Sequence, residues 1–202
     1  MGSRTIRKDY ILSNKDIKTI KRFMNTTQGA KAEVYGKEGT TGGTDADTRD
    51  TIRYNFDFRD WPTIAKKFSD YISIDNLETN QFDLLEYGEG MFFTVHQDNM
   101  GGNVHQQHTA HNMTGRVWSS STMIDCTDDL EGGDLIIYGP LMPSNNKMTV
   151  KLKKGQTVFF PSHFFHEVTP VTKGRRKVLV AWVGANNKKI SIRHELRDKI
   201  QS

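Results

Sequence analysis

Residues 153–183 read KKGQTVFFPSHFFHEVTPVTKGRRKVLVAWV, and the texture of this stretch sets the expectation for the whole fold. Runs rich in β-branched and aromatic residues at 156–160, 166–171 and 176–183 are separated by turn residues. Such runs suit a half-buried pleated surface and read as strands. The pattern extends upstream through 81–87, 91–98, 116–124, 134–138 and 148–152. Short strands at this spacing predict an antiparallel sandwich or barrel.

Before residue 80 the periodicity changes. Ser13 can cap a helix with Asp16 in its first turn and Ile17, Ile20, Phe23 and Met24 on one stripe. Asp60-Trp61-Pro62 can open a second helix with apolar positions Ile64, Ala65, Phe68, Tyr71 and Ile72. Between them, GKEGTTGGTDADTRD (36–50) is polar and glycine-rich. It lacks the Gly-Lys-Ser/Thr ending of a phosphate loop, so a surface loop is expected. Helices leading and strands following predict a mainly β, α+β fold with helices packed outside one sheet. The expected layout is a single domain over 1–202: helical support at 1–79, a strand core at 80–184 and a tail or helix at 185–202.

The chain has 202 residues, 35% of them hydrophobic, enough for one domain with a substantial core. No apolar run approaches the roughly 20 residues of a membrane span. The opening MGSRTIRKDY carries charge but no apolar segment, so no secretory signal is read there. Cys126 is the one cysteine; no internal disulfide can form, which favours a cytoplasmic setting. A net charge of +4 is too mild to argue for nucleic acid. The basic residues near the C-terminus (Lys188, Lys189, Arg193, Arg197, Lys199) read as a solvated helix face.

The chemistry concentrates around FFTVHQD (92–98). Residues two apart on a strand point the same way, so His96 and Asp98 present an imidazole and a carboxylate together. His166, opening a later strand, is the candidate third ligand. Two histidines and one carboxylate on one face of a metal leave the other face open, as in non-haem Fe(II) oxygenases; a structural zinc closes all four positions. Arg176 is in phase with Val178, Val180 and Trp182. If that face is interior, its buried charge requires an anionic partner, either a ligand carboxylate or an internal Asp or Glu. A showier triplet, His105, His108 and His111, lies among glycines and lacks the apolar framing that orients ligands. It reads as loop, and His163 as structural or surface.

LLEYGEGMFFTVHQD, LEGGDLIIY, KKGQTVFFPSHFFHEVTPVTKGRR and KVLVAW, in this order, resemble the prolyl 4-hydroxylase branch of the 2-oxoglutarate/Fe(II) dioxygenases across about residues 80–184. The resemblance implies a double-stranded β-helix, or jelly roll, with helices on the larger sheet. It implies His96, Asp98 and His166 as iron ligands and Arg176 as the partner of the distal carboxylate of 2-oxoglutarate. Tyr87 matches a tyrosine that hydrogen-bonds this cosubstrate, with a plain core tyrosine as the alternative. Trp182 matches an aromatic near the metal. The implied cofactors are Fe(II), 2-oxoglutarate and O2, with ascorbate as reductant. The implied reaction hydroxylates an unactivated C–H bond, releasing succinate and CO2. A prolyl residue in a peptide or protein is the default substrate; another protein residue or a free amino acid is the alternative. Gly132 and Gly133 look like turn glycines permitting close strand approach, with Glu131 and Asp134 facing solvent.

Two departures from the family pattern stand out. The segment 99–115 is long, and the following strand RVWSSSTMI is unusually polar. Ser119 and Ser121 can line the pocket or sit outside, and Arg116 can meet substrate or anchor the strand. Two rival readings are a non-catalytic metal-binding jelly roll and a nucleic-acid demethylase of the same superfamily. The modest charge and the lack of a basic, aromatic-rich lid disfavour the second; neither a membrane nor a nucleic-acid partner is expected.

Overall fold

The computed structural model describes residues 6–32, 46–56, 60–72, 77–98, 116–141 and 147–185. Ser13 caps α1 (Asn14–Thr26): Asp16 Oδ2 accepts from the Ser13 N–H at 2.7 Å, and the Ser13 hydroxyl accepts from the Asp16 N–H at 3.3 Å. This reciprocal capping box satisfies two otherwise orphaned donors. The predicted stripe buries Ile20 and Met24. Helix α2 (Pro62–Ile72), with proline in its first turn, buries Ile64 and Phe68.

Among the described residues the strands form two main antiparallel sheets. The larger runs in the order β1 (Arg7–Asp9), β11 (Thr157–Pro161), β7 (Arg116–Cys126), β14 (Arg176–Ala185), β5 (Leu77–Tyr87), β4 (Ile52–Tyr54) and β2 (Ala30–Lys31). The smaller runs β10 (Met148–Val150), β9 (Leu135–Gly139), β12 (Phe165–Val168), β6 (Phe92–His96) and β3 (Arg49–Asp50). A separate ribbon pairs β8 (Glu131–Gly132) with β13 (Val171–Lys173). This is the jelly roll expected from the sequence.

Strand β14 lies between β7 and β5 and explains why its pattern is apolar on both sides. Leu179, Ala181 and Val183 pack with Ile20, Met24, Ile64 and Phe68 in the core under the helices. Val178 and Val180 belong to a second core with Leu85, Met123, Leu135 and Phe160, between the sheets. Aromatic contacts reinforce the helical side: Phe68 meets Phe82 edge-on, with centroids 5.3 Å apart.

Three expectations change. Residues 1–79 supply strands as well as helices, because β1, β2, β3 and β4 all arise there, the first three of them at sheet edges. The stretch 36–50 is not simply a surface loop: Arg49 and Asp50 pair with Phe93 and Phe92 as β3, while 36–45 lies outside the described residues. The strand expected at 166–171 is interrupted, ending at Val168 and resuming at Val171, since the intervening Pro170 has no N–H for a ladder. The His105, His108 and His111 triplet and the basic C-terminal residues lie outside the described residues. No helix among the described residues is long and apolar enough to cross a membrane.

Candidate functional site

His96 ends β6 and His166 lies on β12, and the two are direct cross-strand partners. Their ring centroids lie 4.2 Å apart. Asp98 follows two residues after His96; its Oδ1 is 3.8 Å from His96 Nε2 and its Oδ2 is 3.4 Å from His166 Nε2. One donor atom from each residue lies within 4.8 Å of the others.

The surrounding backbone orients this set. His96 Nδ1 donates to the Thr94 carbonyl at 2.7 Å, and His166 Nδ1 to the Phe164 carbonyl at 2.9 Å. With Nδ1–H engaged, Nε2 of each imidazole faces Asp98 and is the ring atom left to meet a metal. The Asp98 N–H donates to the Ser162 carbonyl at 3.0 Å, and Ser119 Oγ donates to Ser162 Oγ at 2.9 Å. Ser119 is therefore a buried support of the loop beside Asp98, settling whether it lies inside or outside. Burial, and then the neighbouring His166, press the His96 pKa down to about 3, leaving a neutral imidazole at neutral pH. Burial opposes ionisation of Asp98, but His166 and His96 beside it hold its carboxyl well below the usual range. Burial lowers His166, and the adjacent Asp98 carboxylate more than offsets this to raise it.

Arg176 opens β14 with its side chain buried in the same pocket. Its Nη1 donates to the Gly133 carbonyl, and its guanidinium carbon lies 5.6 Å from the Tyr87 ring centroid. Gly133 permits this approach: at φ +61° an added Cβ would sit 2.8 Å from Val171 Cγ2 and 3.2 Å from Arg176 Cδ. Tyr87 is the direct cross-strand partner of Arg176 and is 2% exposed.

Both implied groups fit these residues. Two imidazoles and a carboxylate, with no fourth His, Cys, Asp or Glu in the cluster among the described residues, form the donor set of an open Fe(II) site rather than a closed zinc site. Arg176 Nε is buried without a hydrogen-bond partner among the described residues, and no Asp or Glu there forms an ion pair with it. The internal salt bridge left open by the sequence is thus not found. A carboxylate ligand would supply the missing acceptor.

Two pocket residues escaped the sequence reading. Between the pairs His96↔His166 and Val168↔Phe93 the register slips by one residue. This β-bulge brings Phe93 onto the His96 side, stacked at 3.7 Å and 18°. Strict alternation would have placed it on the other face, so no local pattern could reveal it. Arg49 lines the pocket from β3, with its guanidinium carbon 4.7 Å from the Phe93 centroid. Trp182 and Ser121 line the pocket as well. Arg116 is buried over the Trp182 ring at 3.8 Å, and His163 is exposed.

A family model of the 2OG-Fe(II) oxygenase superfamily matches residues 82–184. A PKHD-type hydroxylase of Prochlorococcus marinus is 29% identical over 192 residues, spanning 93% of this chain and 81% of the relative. Among solved structures, a 2OG-Fe(II) oxygenase family oxidoreductase from Burkholderia pseudomallei aligns with a TM-score of 0.64 at 13% identity, over 91% of this chain and 89% of that one. A prolyl-4-hydroxylase from Pseudomonas putida aligns with a TM-score of 0.60 at 14% identity, over 91% and 94%. Identities this low speak for the shared jelly roll alone, whereas the family model spans just over half of the chain and includes every residue of the pocket built above except Arg49. By that match, the chain belongs to the 2OG-Fe(II) oxygenase superfamily.

Proposed function

We propose that this chain acts as one oxygenase domain that hydroxylates a prolyl residue of a peptide or protein. In this reading His96, Asp98 and His166 ligate Fe(II), and Arg176, flanked by Tyr87, seats the distal carboxylate of 2-oxoglutarate. The observation that carries it is the meeting of two features in one pocket: an oriented His-Asp-His set, and a buried guanidinium with an unsatisfied edge. Fe(II) bound with 2-oxoglutarate and O2 supplies the oxidising chemistry, in which R–H, 2-oxoglutarate and O2 become R–OH, succinate and CO2.

The chain's own residues then have defined tasks. The two Nδ1–H bonds fix the imidazoles, and the ionised Asp98 carboxylate offsets metal charge. Leu85, Leu135, Phe160, Val168 and Val178 line the pocket with apolar surface that excludes water. Phe93, stacked on His96, adds its ring edge to this apolar lining. The prolyl assignment draws on the Pseudomonas putida neighbour, itself a prolyl-4-hydroxylase.

The test is a succinate-formation screen over proline-containing peptides, matched peptides lacking proline, and free amino acids, followed by mass spectrometry for one added oxygen. Proline-dependent succinate release with the oxygen on proline is expected. Oxygen on another residue, or turnover of free amino acids alone, would overturn the prolyl assignment.

A further inference from the structure

A second cavity, of about 260 Å³, lies on the helix side of the larger sheet and has no part in the oxygenase reading. It is lined by Lys21 and Asn25 of α1, Asp125 of β7, Arg175 just before β14, and Lys177 of β14. Strand alternation separates it from the pocket. Lys177 turns away from the face that carries Arg176 and stands across from Asp125 and Glu86 on the flanking strands.

The charges around this cavity do not cancel. Asp125 is answered by Lys21 at 2.7 Å and by Lys154 at 3.7 Å. Glu86 is answered by Lys177 at 3.4 Å and by the Tyr54 hydroxyl, which donates to it at 2.5 Å. Arg175 is left over. Its backbone is clamped by Thr127, whose Oγ1 accepts from the Arg175 N–H at 3.1 Å and whose N–H donates to the Arg175 carbonyl at 3.0 Å. Its exposed side chain has no hydrogen bond or ion pair among the described residues. The charge of Arg175 falls on Tyr54, a phenol that burial and Glu86 keep protonated.

Lys177 adds a nearly buried ammonium, 9% exposed, that donates to Asn25 Oδ1 at 2.9 Å. An ammonium has three donors; Asn25 and Glu86 take two, and one remains. The Arg175 fork, this last donor and the Lys21 ammonium at the rim enter from three segments of the chain. Donors converging from several sides suit a tetrahedral oxyanion, whereas a planar carboxylate calls for one two-point contact.

We infer that this cavity is an oxyanion site, with Arg175 and Lys177 as its main contacts, that binds inorganic phosphate or the phosphoryl group of a phosphate monoester. It stands apart from the oxygenase reading, because none of its contacts serves the pocket between the sheets.

The test titrates the full chain with inorganic phosphate, glycerol phosphate or acetate at fixed ionic strength in an amine buffer, read by calorimetry and thermal melting. Wild type should bind phosphate or the ester with a Kd of about 1 mM or tighter and melt at a higher temperature in its presence. Tighter binding of the ester would assign a phosphorylated metabolite, and tighter binding of phosphate the free ion; either supports the site. Arg175→Gln should weaken binding about tenfold, the scale of one charge-assisted contact. Arg175→Lys should restore part of the loss, and Arg175→Glu should abolish binding. Because this side chain is exposed, all three variants should fold, which melting without ligand checks; Lys177→Met tests the second contact. Absence of binding, acetate bound as tightly as phosphate, or an affinity unchanged in Arg175→Glu overturns the inference. Phosphate should also bind protein already saturated with Mn(II) and 2-oxoglutarate. Loss of binding there would put the anion in the cosubstrate pocket and overturn the inference as well.

Discussion

His96 and His166 are direct cross-strand neighbours on β6 and β12, each with Nδ1 bonded to a carbonyl two residues earlier in its own chain segment. The backbone thus sets both rings before any metal arrives. With Asp98 between them, the set should bind Fe(II) and, on anaerobic addition of 2-oxoglutarate, give a visible metal-to-ligand charge-transfer absorption. His96→Ala, Asp98→Ala and His166→Ala should each abolish that absorption while leaving the far-ultraviolet circular dichroism unchanged. A wild-type protein without the band, or a His96→Ala protein with it, would refute the ligand assignment.

Arg176 is buried and answered by the Gly133 carbonyl, with Nε left for a ligand. Arg176→Ala should weaken 2-oxoglutarate binding by about 2–5 kcal/mol, the range for truncating one partner of a buried charge pair, and change Fe(II) affinity little. Arg176→Lys should restore part of the loss, because it keeps the charge but not the fork. Calorimetric titration of each ligand separates the two effects; an equal loss of both would make Arg176 structural.

Gly133 works at a position no other residue fills easily. Gly133→Ala places a methyl 2.8 Å from Val171 Cγ2 and 3.2 Å from Arg176 Cδ on a backbone at φ +61°. The expected cost is about 1–3 kcal/mol of stability, together with a raised KM for 2-oxoglutarate as Arg176 is displaced. Urea unfolding and steady-state kinetics report the two parts.

Asp16 links α1 to α2 through Lys67 as well as closing the capping box. Burial alone would raise its pKa, but hydrogen bonds from Lys67 and Ser13 hold it below the ordinary 3.8. A carboxyl depressed in the folded state contributes stability that is complete above its unfolded pKa and is lost as pH falls through the folded value. Asp16→Asn should cost about 1 kcal/mol at neutral pH, and this gap should close as pH falls below 3.8. Urea midpoints for both proteins at pH 7 and in acid test the sign; a gap that widens in acid would contradict it.

Much of the site was legible in the sequence, and the parts that were not share a cause. The cap at Ser13, the stripe through Ile20 and Met24, the alternation in β14 and the His96–Asp98 pair are all local, so spacing along the chain was enough to read them. His166 and Arg176 line one pocket with that pair, because strand alternation turns both toward the space between the sheets. What only the tertiary structure decided depends on which strands meet and in what register. A one-residue slip between β6 and β12 turned Phe93 onto the His96 face, and pairing of a polar segment with β6 brought Arg49 into the pocket. Register and partner choice arise from contacts between distant segments, and neither leaves a periodicity in the strand that undergoes it. The amino-acid sequence therefore singled out the candidate ligands, while the fold decided what stands around them.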